Sequence, residues 1–268
     1  MSAPGQAELG SVGPATRSAA HPSPAGVQPF TLSPRGIVRL LAGISAVLVV
    51  INVLTRLATL HFSDFTGRDW LTIMFGLGGE ANIPATFSGG LLLLSGLLLG
   101  AIALARRRFG GPFWPHWAVL SATFLFLSLD ELASIHDNIS LPLSRLHHSS
   151  GALLYLWVVP YGVAALALLL GSIRFLLHLP APTRRLFILA GAVYVGGALG
   201  MELLEAASNS RHIAAGFIPV WGVIVEETME MCGTVIFISA LLSYLQRVLP
   251  GFALQLSVGP ETREAGRR

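Results

Sequence analysis

The sequence predicts an all-α, polytopic membrane protein built as a bundle of six transmembrane helices. Three observations lead there. Only 12% of the 268 residues are charged and 53% are hydrophobic, whereas soluble domains carry about 25% charged residues. Apolar runs of bilayer-crossing length, about 20 residues, recur along the chain. The connections between them are too short to hold a soluble domain.

The elements follow in order. Residues 1–34 are rich in Ala, Gly, Pro and Ser, cannot bury a core, and are expected to be disordered. They lack the short apolar stretch and cleavage site of a signal peptide, so the first span is expected to stay as an anchor. Spans are expected at 36–59, 84–105, 114–137, 151–176, 185–207 and 216–246, inside a transmembrane domain of 35–247, with a short tail at 248–268. The last is longer than a span needs, which predicts tilt or an interfacial start. The longest connection, "HFSDFTGRDWLTIMFGLGGEANIPATFSGG", predicts a short surface helix broken by Gly78, Gly79 and Pro84.

Orientation follows from arginine, because the chain has no lysine. With the N-terminus inside, the inner set is Arg17, Arg35, Arg39, Arg106, Arg107, Arg108, Arg174, Arg184, Arg185, Arg247, Arg263, Arg267 and Arg268. The outer set is Arg56, Arg68, Arg145 and Arg211. Thirteen against four predicts both termini in the cytoplasm and a multi-pass protein of the inner (plasma) membrane, with lipids as its standing partners. Trp70, Trp114, Trp117, Trp157 and Trp221 fall near span ends, as interfacial aromatics do. Arginines placed at helix ends do not form a nucleic-acid surface. The lone Cys232 excludes an intrachain disulfide framework and a Cys-rich metal site.

The acidic residues carry the functional signal. Eight of the 14 lie in or at the edge of expected spans: Asp130, Glu131 and Asp137; Glu202 and Glu205; Glu226, Glu227 and Glu230. A lipid-facing charge near mid-membrane costs about 2.5–3.5 kcal/mol on insertion scales. Eight such charges would exceed the whole stability of a domain, roughly 5–15 kcal/mol. They are therefore expected to face the bundle interior. Span direction places all eight in the outer half at overlapping depth, which predicts one polar site shared by the third, fifth and sixth spans. Helical periodicity agrees. Glu226, Glu227 and Glu230 share an arc of about 100°, Glu202 and Glu205 are face neighbours, and Asp130 and Asp137 nearly eclipse.

Three kinds of chemistry fit such residues, and spacing leaves all three open. Oxygen donors with an imidazole suit a divalent metal such as iron, manganese or zinc. In that reading Asp130, Glu131, His136, Glu202, Glu226 and Glu230 are ligands, with Glu227, Asp137 and Glu205 as neighbouring acid/base groups. The protein would then be a metal-dependent enzyme acting on a small lipid-phase substrate. The Glu-x-x-His of di-iron bundles is absent, since Ala133 stands three before His136. In the second reading the same carboxylates relay protons or bind a cation, as in a proton- or cation-coupled carrier. In the third they only fasten helices, pairing with His136 or Arg211. Arg56 either neutralises one of them or snorkels to the headgroups. Glu80, in the glycine-rich "GLGGEANIP", is the loop acid to watch. His147 and His148 are expected to be solvated, and "GAVYVGGALG" is expected to allow close helix approach.

"LDELASIHD", "GEANIPATFSG" and "EETMEM" together resemble a group of bacterial multi-pass membrane proteins without assigned function. Its members carry Asp-Glu and then His-Asp or His-Glu near the end of one span, and Glu-Glu-x-x-Glu in the last. The resemblance covers roughly residues 36–246. It implies a fold and supplies no activity.

Overall fold

A computed structural model describes residues 33–62, 64–136, 138–139, 142, 150–213 and 215–248. The expectations for most of the N-terminal segment, for the C-terminal tail, for Asp137 and for His147 and His148 lie outside the described residues.

Within them the architecture is all helix. The elements are α1 (Pro34–His61), α2 (Arg68–Phe75), α3 (Ile83–Arg108), α4 (Trp114–Ala133), a 3-10 turn (Gly151–Leu153), α5 (Val158–His178), α6 (Ala181–Val195), a π segment (Gly196–Met201), α7 (Glu202–Ser210) and α8 (Phe217–Val248). The π segment joins α6 and α7 into one 30-residue rod. By length and composition five helices can cross a membrane: α1, α3, α5, the α6–α7 rod and α8. The chain is a polytopic membrane protein of the expected class. The sixth expected span, 114–137, is the difference. It becomes the 20-residue α4, which carries Asp130 and Glu131 in its last turn and falls outside the apolar set. The span expected at 151–176 also starts late, because a 3-10 turn precedes α5.

Helix starts follow local chemistry. Ser33 caps α1 by accepting from Gly36 N at 3.1 Å, with Pro34 in the first turn. Buried Asn82 caps α3 by accepting from Ala85 N at 3.0 Å. Its amide also donates to Gly76 O at 2.7 Å, and Asn52 on α1 donates to Phe75 O at 3.1 Å. These bonds fix the expected surface helix, α2, between α1 and α3. Gly76 ends α2, ahead of the breakers expected from sequence, while Pro84 sits in the first turn of α3.

Packing is organised around α8. The helices α1, α3, α6 and α7 and the π segment all lie against it. In the most apolar windows 56% of α8 is buried, but only 11% of α1 and of α5. Those two present Leu40, Val47, Val163 and Leu166 outward, a surface suited to lipid. Against α3, α4 packs through a repeat of small residues. Ser121 Oγ donates to Gly96 O and Ser128 Oγ to Gly89 O, each at 2.8 Å. Both pairs are seven apart, so one face of each helix closes on the other.

The two ends of the bundle differ. At the end holding Arg106, Arg174, Arg184 and Arg247, the core is apolar and aromatic: Leu99, Ile102, Trp117, Phe175, Phe187 and Tyr244. Trp117 stands edge-on to Phe175 and Phe187, and Arg106 Nε donates to Tyr244 Oη at 3.1 Å. The opposite end holds the acids.

A Cβ at Gly96 would lie 2.8 Å from Leu125 Cδ2 and 3.1 Å from the Leu125 backbone nitrogen, while one at Gly90 meets nothing within 4 Å. Gly96→Leu should therefore lower stability in detergent micelles by about 1–3 kcal/mol. Gly90→Leu should leave the thermal midpoint nearly unchanged in the same melt.

Candidate functional site

The site begins with the end of α4. Ser134 takes a left-handed conformation (φ 50, ψ 43), and its backbone N–H closes the helix onto Asp130 O. The turn is stabilised by the contacts it allows. His136 N donates to Asp130 Oδ1 at 2.9 Å, and His136 Nδ1 pairs with Asp130 Oδ2 at 3.1 Å. A carboxylate on the last helical turn thus competes with the helix for the backbone donor. From α5, Tyr161 Oη donates to Asp130 Oδ1 at 2.8 Å. Asp130 is only 5% exposed. Its oxygens hold the imidazole in place, much as a carboxylate orients a working histidine.

From His136 the network crosses to α5 and α7. The imidazole lies 4.8 Å from the Trp157 ring, and Trp157 stands edge-on to Tyr161 at 5.2 Å. Trp157 Nε1 donates to Glu202 Oε1 at 3.2 Å. By sequence, Trp157 is an interfacial aromatic and Tyr161 lies within an apolar span. In the structure both are polar partners of the acids. No local pattern marks that role, because the partners come from other helices.

Glu131 follows Asp130 on α4. It pairs with Ser88 of α3, and Glu80, Asp130 and His136 are its charged neighbours. Glu80 accepts a hydrogen bond from Ser134 Oγ. On α8, Glu227 lies among Glu230, Glu131, Glu80 and Glu205. Glu230 lies among Glu131, His136, Glu202 and Asp130, and Glu226 among Glu202, Glu230, Glu205 and Glu227. Tyr194, on the last turn of α6, faces Glu230, Glu131, Asp130 and Glu227. Glu80 thus joins seven of the expected acids in one cluster.

The π segment brings α7 into reach. A Cβ at Gly197 would lie 2.9 Å from Glu226 O and 3.3 Å from Glu230 Cγ, so only glycine permits this approach. The extra residue of a π turn resets the register of the helix beyond it. Glu205 then lies over Gly222, where a Cβ would sit 2.7 Å from Glu205 Oε1. That oxygen is buried, and no N–H or hydroxyl donor reaches it. Its carboxyl faces the Glu226 carboxyl as a hydrogen-bond partner. Two carboxyl groups can bond in this way only when a proton or another cation lies between them.

Among the described residues the one ion pair is Asp130–His136. Neither Arg211 nor Arg56 forms an ion pair among the described residues, and Arg56 Nε is buried without an acceptor. Among the described residues, no three His, Cys, Asp or Glu side chains converge closely enough to hold a metal ion. The six expected ligands are neighbours without forming a closed donor set, and Asp130 is engaged with His136 and Tyr161.

Tyr161→Phe removes a hydrogen bond to a charged acceptor and should cost about 1.5–3 kcal/mol. In an Asp130→Asn background the same change should cost less. A double-mutant cycle in micelles is expected to give a coupling of at least about 0.5 kcal/mol.

No curated protein and no solved structure matches the chain significantly. Residues 41–245 match a family described as a domain of unknown function, DUF8692. That match spans most of the chain, and the protein belongs to this family.

Proposed function

We propose that the acidic cluster reversibly binds protons or a small cation and is the ion-coupling site of a proton- or cation-coupled membrane carrier. The Glu205–Glu226 contact supports this reading best. Two carboxyl groups from different helices face each other, and among the described residues one oxygen is buried without a donor and no arginine pairs with either. A bound cation satisfies that arrangement, and a proton is the smallest one. Intramembrane carboxylates grouped in this way mark ion sites and proton relays.

The bundle's asymmetry favours a carrier over an open channel. Toward the arginine-rich end, Trp117, Phe175 and Phe187 form an aromatic layer in the core. With that end cytoplasmic in the inner membrane, the cluster would exchange with the outer side in this state. The roles follow from position. Glu205 and Glu226 hold the exchangeable ion, with Glu202, Glu227 and Glu230 sharing it. Glu131 links them to the His136–Asp130 pair.

The test joins infrared spectroscopy with metal analysis of purified protein. The carbonyl stretch of protonated carboxyl groups should be present near neutral pH and should weaken in both Glu226→Gln and Glu205→Gln. The double variant should lose less than the sum of the singles, because interacting groups titrate together. Proteoliposomes should show pH-gradient-dependent flux that the same variants lack. A near-stoichiometric metal, retained by the wild type and lost in Glu226→Gln, would instead establish the metal-centre reading.

A further inference from the structure

A second polar feature lies at the opposite end of the bundle. A cavity of about 340 Å³ opens between the start of α1 and the end of α8. Arg35 and Arg39 line it from α1, and Ser239, Ser243, Gln246 and Arg247 from α8. Arg35 and Arg39 are four apart, as are Ser239 and Ser243, so each helix turns one polar face to the same space. No carboxylate pairs with these arginines among the described residues, where the one ion pair is Asp130–His136 at the other end. Three guanidinium groups, two hydroxyls and an amide all offer donors to one volume. That set suits an anion with several oxygens, above all a phosphate.

A second cavity identifies the carrier of that phosphate. A shallow apolar groove of about 380 Å³ runs along α1 past Leu40, Gly43, Ile44, Val47 and Leu48, and it shares Arg39 with the first. Gly43 opens it, since a Cβ there meets nothing within 4 Å. From Arg39 to Leu48 the helix rises about 14 Å, close to half of a hydrocarbon core about 30 Å thick. A phosphate site continuous with an apolar trough one leaflet deep has the shape of a phospholipid.

We infer that the cleft between the start of α1 and the end of α8 is a binding site for an anionic phospholipid. Its phosphate sits among Arg35, Arg39 and Arg247, and an acyl chain lies along α1. Arginines that merely snorkel would meet headgroups in general. Here three of them line one cavity together with uncharged donors, and this gives a stoichiometric site at a basic pocket between helices.

The test uses the full chain in mild detergent. Phosphatidylglycerol, phosphatidylcholine with the same acyl chains, and inorganic phosphate are each titrated against thermal stability, and native mass spectrometry counts retained lipid. One phosphatidylglycerol should be retained and should raise the melting temperature, with little response to phosphatidylcholine. The Arg39→Gln/Arg247→Gln double variant should bind phosphatidylglycerol at least about tenfold more weakly. Gly43→Leu, which leaves every arginine in place, should weaken phosphatidylglycerol alone and preserves the test if the arginine variant folds poorly. Equal retention of phosphatidylglycerol by wild type and both variants would overturn the site. Equal stabilisation by inorganic phosphate, untouched by Gly43→Leu, would overturn the lipid and leave a free-phosphate site.

Discussion

A hydrocarbon phase cannot solvate a carboxylate, and that constraint shapes the rest of this structure. Each acid placed within the spans has to find other polar groups, and among the described residues the one ion pair is Asp130–His136. The acids therefore gather with one another and with the few hydroxyl, indole and imidazole groups in reach. Helices are then held where their acids must be. The central α8 meets both α4 and the α6–α7 rod at the level of Glu226, Glu227 and Glu230. The α3–α4 seam of glycine and serine keeps α4 close enough for Glu131 to reach Ser88.

Asp130 shows how such a cluster acquires fixed geometry. A charge spread over many acids would leave each side chain free to drift. Here one buried carboxylate is held by a backbone N–H, an imidazole and a phenol from two segments of chain. It sets the bend at Ser134 and the attitude of His136. Through the Trp157 ring, the same arrangement reaches Glu202. The stability at stake is that of a hydrogen bond to a charge, about 1.5–3 kcal/mol each. That is modest beside apolar packing, yet it is directional where packing is not.

Much of this was legible in the sequence, for reasons that also explain the parts that were missed. Apolar run length depends only on bilayer thickness, so α1, α3, the α6–α7 rod and α8 fall near their expected limits, while α5 starts late behind a 3-10 turn. The α4 region breaks the rule because its acids belong to the cluster and end the helix early. The crowding of Glu202, Glu205, Glu226, Glu227 and Glu230 followed from span direction and depth, which are global properties. Tyr161, Trp157 and Tyr194 were not foreseen as partners of the acids. A phenol or indole in an apolar helix reads the same whether its polar atom meets lipid headgroups or a buried carboxylate. The π segment was hidden as well, since "GGALGM" signals close approach without showing that one turn is widened.

That widened turn has a consequence for how the chain tolerates change. It puts α6 and α7 out of phase through the backbone alone, with no charged residue to announce it. Rewinding Gly196–Met201 as ordinary α-helix would leave the hydropathy profile untouched. It would also swing Glu202 and Glu205 by about 100° around the rod, away from Trp157 and Glu226. The reading frame of the site is thus stored in six uncharged residues. The acids could all be present and still miss one another.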